Sequence, residues 1–183
     1  AVAEEEPDVS WDDVAPVDVL GLEIGYRLIP LVDKDQGGEL MSRIRGVRRQ
    51  YSQERGFLIP SVHIRDNVEL TPAGYRLSLH GVEVGAGEVL PGREMAINPG
   101  TVYGDVTGIK TVDPAYGLEA LWIEPEEREQ AQTLGYTVVD IGTVIATHFS
   151  RVIQDHAQEL LGREEVSRLL DKLAAILRPM ATR

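Results

Sequence analysis

The chain has 183 residues, 43% of them hydrophobic, enough to bury a core in one or two compact units. Its 30 acidic against 18 basic residues leave a net charge of -12, which opposes a nucleic-acid backbone or an anionic membrane as main partner and favours basic or neutral proteins. The absence of cysteine excludes disulfides, thiolate chemistry and Cys-based zinc sites and suits a reducing cytoplasm.

In chain order, residues 1–18 come first. They hold Glu4, Glu5, Glu6, Asp8, Asp12, Asp13 and Asp18 without one basic residue, and read as an acidic linker rather than as a signal peptide. Trp11 is the exception there, an aromatic that docks on a neighbouring surface or packs back on its own domain. Over residues 20–32 apolar side chains alternate at Leu20, Leu22, Ile24, Tyr26 and Leu28 and then run on continuously, which predicts a strand. Gly37 and Gly38 break it. Leu40, Ile44, Val47 and Tyr51 then recur at helical spacing until Gly56, predicting an amphipathic helix. Strands are predicted over 58–64, 75–79 and 82–89, so the first unit is of β-α-β-β type.

After Pro91 and Gly92 the texture changes to short apolar pieces between Gly and Pro, and a small second unit begins. It contains a short apolar piece at 95–97, the turn Asn98-Pro99-Gly100, a strand at 120–123, a helix from Pro125 to Gly135 and a strand over 136–141. A long helix over 143–161, with Ile145, Phe149, Val152 and Ile153 on one broad face and Gly162 as its stop, is long enough to brace both units. A further helix over 164–177 carries Val166, Leu169, Leu170, Leu173 and Ile176. No run approaches the roughly 18 apolar residues of a spanning helix, so this stretch is expected to be soluble.

Residues 113–123 combine a turn, an aromatic and a buried-strand pattern but no catalytic group, which points to a binding surface. Pro114 presets the turn, the Asp113 carboxylate can bond the amides that follow, and Tyr116 projects at a rim with its hydroxyl wet. The plainer account is a turn that merely starts a strand. Catalytic constellations are otherwise lacking: there is no Gly-rich phosphate loop, no Gly-x-Gly-x-x-Gly after a strand and no Gly-x-Ser-x-Gly elbow. His148 and His156 lie two helical turns apart, too far to grip zinc as an adjacent-turn pair, so no metal or cofactor is expected. The run Val62-His63-Ile64-Arg65-Asp66-Asn67 suggests a bonded turn held by Arg65 more than a general base, since no nucleophile accompanies it. Arg43, Arg45, Arg48, Arg49 and Arg55 form the one basic patch, and a contact with the acidic segment, within the chain or between copies, accounts for both charge clusters.

Four ordered motifs then carry a family likeness: Gly25-Tyr26-Arg27-Leu28-Ile29-Pro30, the run from Gly56-Phe57-Leu58-Ile59-Pro60 to Asn67, Ala96-Ile97-Asn98-Pro99-Gly100, and Asp113-Pro114-Ala115-Tyr116-Gly117. Thr137-Val138-Val139-Asp140, Val144-Ile145-Ala146-Thr147-His148 and Glu159-Leu160-Leu161-Gly162-Arg163 extend it over about residues 20–172. The chain resembles the FHIPEP export-gate family, nearest its flagellar branch. The resemblance implies a fragment of the cytoplasmic region of an inner-membrane protein, attached through a transmembrane part outside this sequence, and a role in the flagellar type III secretion apparatus rather than in catalysis. It implies an α+β fold with a discontinuous first subdomain (19–91 and the return helix 141–162), an inserted second subdomain (92–140) and the start of a third (163–183), after the linker 1–18. It also implies a nonameric ring, contacts with other export-apparatus proteins, and a chaperone-binding dimple for filament-type cargo formed by Asp113, Tyr116 and Thr147 with Pro99, Val139 and Val144 as walls. Tyr116 stands where many members carry Phe. The alternatives are a ring-building piece that mainly self-associates, or the equivalent component of a virulence secretion system.

Overall fold

The structure is a computed structural model and describes residues 18–33, 35, 38–160 and 163–181. It is a mixed α+β fold in which, among the described residues, two four-stranded sheets and five α-helices share the chain. The first sheet runs in the order β2-β1-β3-β4, from β1 (Leu20–Ile24), β2 (Val62–Asp66), β3 (Gly74–Leu79) and β4 (Val82–Glu88). β1 and β2 are parallel, which a hairpin cannot achieve, and α2 (Glu39–Arg55) lies in the crossover between them. The alternation read in β1 is real: Leu20, Leu22 and Ile24 are all buried. Gly56 ends α2 in the left-handed region at φ 76°, as its position after the last periodic residue predicts.

The second sheet is antiparallel throughout, in the order β6-β7-β5-β8, from β5 (Glu94–Ile97), β6 (Ile109–Val112), β7 (Glu119–Ile123) and β8 (Thr137–Val139). Opposed residues share a face, and the two faces go to different places. Met95, Ala120 and Trp122 join the main core, which also takes the inner faces of the first sheet and α2. Ala96, Ile123 and Val138 turn the other way and enclose a small core with Val106, Ala131 and Tyr136, Ala131 coming from α3 (Arg128–Thr133). After β8 the chain enters α4 (Ile141–His156), whose Val144, Ile145, Phe149, Val152 and Ile153 return to the main core. The last helix, α5 (Arg163–Ala181), contributes no described side chain to either core.

Several expectations require correction. The apolar run over 28–32 is not strand: β1 stops at Ile24, a 3-10 turn spans Tyr26–Leu28, and α1 (Ile29–Val32) follows with Pro30 in its first turn, where a missing amide costs nothing. β2 begins at Val62, not at 58, because Leu58 to Ser61 is irregular around Pro60. Ile141 belongs to α4 and not to a strand, since the Asp140 side chain caps the helix there. The long helix ends at His156, and a 3-10 turn (Ala157–Leu160) continues it. Arg65 does not hold the turn at 66–67; it donates to Asp18, while Asn67 Oδ1 accepts from the Glu69 amide. Strand β6 is a further element that the sequence pattern did not disclose. Residues 1–17 of the acidic segment, Trp11 among them, and Gly37 and Gly162 lie outside the described residues.

Candidate functional site

The turn between β6 and β7 is built from its first residue. Asp113 is only 3% exposed, and its two carboxylate oxygens accept the amides of Ala115 at 3.4 Å and Tyr116 at 3.0 Å. The Gly117 amide donates to the Asp113 carbonyl at 2.9 Å, and Gly117 leaves the turn at φ 71°, a conformation that disfavours any residue with a Cβ. Asp113 therefore shapes the loop from inside, with its carboxylate already committed.

Beneath the turn lies a buried polar pair. Tyr75 Oη on β3 and His148 Nδ1 on α4 are 2.7 Å apart, with the rings edge to face. Gly85 and Gly87 on β4 make the room: a Cβ on Gly85 would stand 2.9 Å from His148 Nε2, and one on Gly87 would meet the Tyr75 ring. Burial lowers the His148 pKa, and the Asp113 carboxylate partly opposes this. Burial, and then Asp113, push the Tyr75 phenol up.

Above the pair, Tyr116 is 56% exposed and its ring receives the Arg151 guanidinium at 5.5 Å. Thr147 lies one helical turn before Arg151 and lines a shallow groove of about 460 Å³ between α2 and α4, with Gly46 and Gln50 opposite it. Pro99 is exposed and enters next to the hairpin, because the Asn98 amide donates to the Glu119 carbonyl at 2.9 Å. Thus Asp113 and Tyr116 belong to one turn that meets Arg151 of α4, Pro99 follows the strand end bonded to Glu119, and Thr147 lies one turn away on α4 in the groove with α2. Val144 is 2% exposed within the main core, and Val139 packs partly buried against that core at the other end of β5, paired with Met95. Val144 is thus a core side chain, while Val139 remains half-buried.

The FHIPEP family's sequence profile matches residues 1–180. The chain belongs to the FHIPEP family. Flagellar biosynthesis protein FlhA of Escherichia coli (strain K12) is 56% identical to it over 167 residues, 91% of this chain and 24% of that protein. The chain thus spans about a quarter of the length of the curated relatives it matches. Among solved structures, a chain of the Chlamydia pneumoniae CdsV and CdsO protein complex superimposes with a TM-score of 0.71 at 21% identity, covering 90% of this chain and 52% of that one. The nonameric EPEC SctV-C gives 0.58 at 12% identity, covering 92% and 49%. At such identities the likeness is one of fold.

Elsewhere in this FHIPEP chain the charged residues are mostly structural. Asp140 caps α4 by accepting the Thr143 amide at 2.7 Å, and Arg43 on α2 donates to Asp140 at 2.9 Å and to Thr143 Oγ1 at 2.6 Å. Burial raises the Asp140 pKa, but the Thr143 hydrogen bonds, Arg43 and Arg128 outweigh it and leave the carboxyl below its ordinary value. Arg48 is spent on the Pro60 and Ile59 carbonyls, while Arg45 and Arg49 line a cavity of about 640 Å³ with Leu58 and with Lys172 of α5. His63 and Arg65 both face Asp18. Among the described residues no group of three or more His, Cys, Asp or Glu side chains is arranged to hold a metal, and no helix is long and apolar enough to cross a membrane. The residues that sequence reasoning missed are Tyr75, His148 and Arg151, which seat the turn. The alternating glycines of β4 were the available signal, since a strand lacking side chains at successive inward positions must admit something bulky.

Proposed function

We propose that this segment is a cytoplasmic docking module of the flagellar type III protein-export gate, on the cytoplasmic face of the inner membrane, and that it receives export chaperones carrying filament-type substrates. The observation that carries the reading is the turn at 113–117, fixed by the Asp113 carboxylate, which presents an exposed Tyr116 against Arg151 of α4, one helical turn along that helix from Thr147 and its groove. An exposed Tyr on a preorganised loop, next to a shallow groove, is the kind of anchor that binding surfaces use. In this reading Asp113 sets the loop's shape, and Val139 and Val144 back the site from the core. Residues 19–91 and 141–162 form one subdomain and 92–140 an insertion carrying the hairpin, so chaperone binding spans the junction of the two.

The test is a calorimetric titration of this chain with a flagellar filament-protein chaperone carrying its cargo, beside Tyr116→Ala and Thr147→Arg. Both positions bear surface, so both variants should melt with the parent. Tyr116→Ala is expected to weaken binding by on the order of 2 kcal/mol, about thirtyfold, and Thr147→Arg to abolish it. Unchanged affinity in both variants would sink the site assignment.

A second reading, in which the segment mainly builds the export ring by self-association, draws on the nonameric state of EPEC SctV-C. Sedimentation at low salt distinguishes them, because a strictly monomeric chain that still binds the chaperone removes ring-building as a property of these residues.

A further inference from the structure

The second sheet ends in β6, and among the described residues no strand pairs with that edge. The Asp113 amide donates to the Leu118 carbonyl at 2.8 Å, which makes 113 and 118 a hydrogen-bonded pair. Antiparallel alternation then assigns Thr111 with Ala120 and Ile109 with Trp122 to the bonded pairs, in the observed register. Lys110 and Val112 are left with amide and carbonyl pointing away from β7. No hydrogen bond to these outward groups occurs among the described residues.

The side chains on this edge are equally bare. Ile109 is 51% and Val112 58% exposed, on opposite faces, and Leu118, just before β7, is exposed as well. β2, at an edge of the other sheet, differs: it carries His63, Arg65 and Asp66, with Asp18 set against the first two, the charged blunting that discourages strand pairing. β6 has one charge, Lys110. Beside it a cavity of about 320 Å³ opens over the small core, floored by Val102, Leu121 and Tyr136 and rimmed by Asp105 and Glu119.

We propose that β6 is a strand-addition site: an extended segment of a partner protein, apolar at alternate positions and carrying Lys or Arg, pairs with the outward groups of Lys110 and Val112 and places one apolar side chain in the cavity. The backbone edge supplies the bonds and the cavity selects the side chain, as in other strand-addition modes. Two features fix the occupant's charge. Asp105 and Glu119 outnumber Lys110 at the cavity, and the chain's own charge of -12 works against a second copy of itself. The site is distinct from the Tyr116 surface and stands whether or not that surface receives a chaperone.

The test uses the peptide acetyl-Lys-Val-Thr-Val-Lys-Val-Thr-amide, a version with Pro at its central position, and amide hydrogen exchange of this chain read by NMR. The first peptide should slow exchange at Lys110 and Val112 by about tenfold or more, and the proline peptide should not. Val112→Pro removes only an outward amide, which an edge strand tolerates, and should weaken binding of the first peptide at least about tenfold while the Tyr116 surface keeps its chaperone affinity. The inference fails if Lys110 and Val112 exchange at free-chain rates up to millimolar peptide. It also fails if the proline peptide protects them equally, or if protection appears without peptide and grows with protein concentration, which would make the edge a self-interface.

Discussion

At the scale of single residues, the site depends on groups that do not touch a partner. His148 is 8% exposed and held below its ordinary pKa of 6.5, so it is neutral in the folded chain at neutral pH and gains a proton more readily when unfolded. Its contribution to stability is therefore complete above pH 6.5 and declines as pH falls through the lower folded value. Melting temperature followed from pH 7.5 to 5 should fall in the parent, and His148→Gln should flatten that part of the slope. Tyr75→Phe leaves His148 Nδ1 buried without a partner and should cost about 1 to 3 kcal/mol by urea titration. Gly85→Ala drives a methyl into the His148 ring and should cost a similar 1 to 3 kcal/mol, roughly. Asp113 was legible as a turn former, because Asp before Pro has few other local options. Its burial was not, because that depends on β3 and α4 lying beneath the turn.

At the scale of elements, the helices with clear ends were legible. Gly56 and Gly135 both take positive φ where the sequence puts their stops. Asp140 starts α4 by a side-chain cap, and Asp140→Ala should lower stability by about 1 kcal/mol in chemical denaturation, with part of the loss shared with Arg43 in a double-mutant cycle. Both partners are partly solvent-exposed, so the coupling should stay within about 0.2 to 1 kcal/mol. The elements misread were those where a short apolar run fits two structures. Residues 28–32 carry the same side chains that a strand would, but Pro30 and the 3-10 turn before it commit them to a helix. β6 escaped notice for the opposite reason: four residues with Lys110 and Thr111 side by side between two apolar ends show no alternation, and only pairing with β7 defines the strand.

At the scale of the whole molecule, two cores of unequal size divide the chain, and α4 ties them by lying in the main core while its Arg151 meets the hairpin of the second sheet. α5 stands apart. Its Leu170, Leu173 and Ile176 are exposed, and helices without a packed face are marginal in water. Amides of α5 should therefore exchange much faster than those of α4, and Leu170→Gln with Ile176→Gln should leave the chemical denaturation midpoint of the remainder unchanged within about 0.5 kcal/mol.

By itself the sequence determined the local choices: where glycines end helices, where alternation makes β1 and β3, that Asp113 folds back on its own turn, and, through ordered motifs, the family. These depend on neighbours a few residues apart, and composition and spacing carry that information. Tertiary structure alone decided that Asp113 is buried near the Tyr75–His148 pair, that Val144 is core, that Arg151 of α4 meets Tyr116, and that β6 is an open edge. Each of these is a contact, or a missing contact, between segments distant in sequence, and is set only when both sheets close against α4.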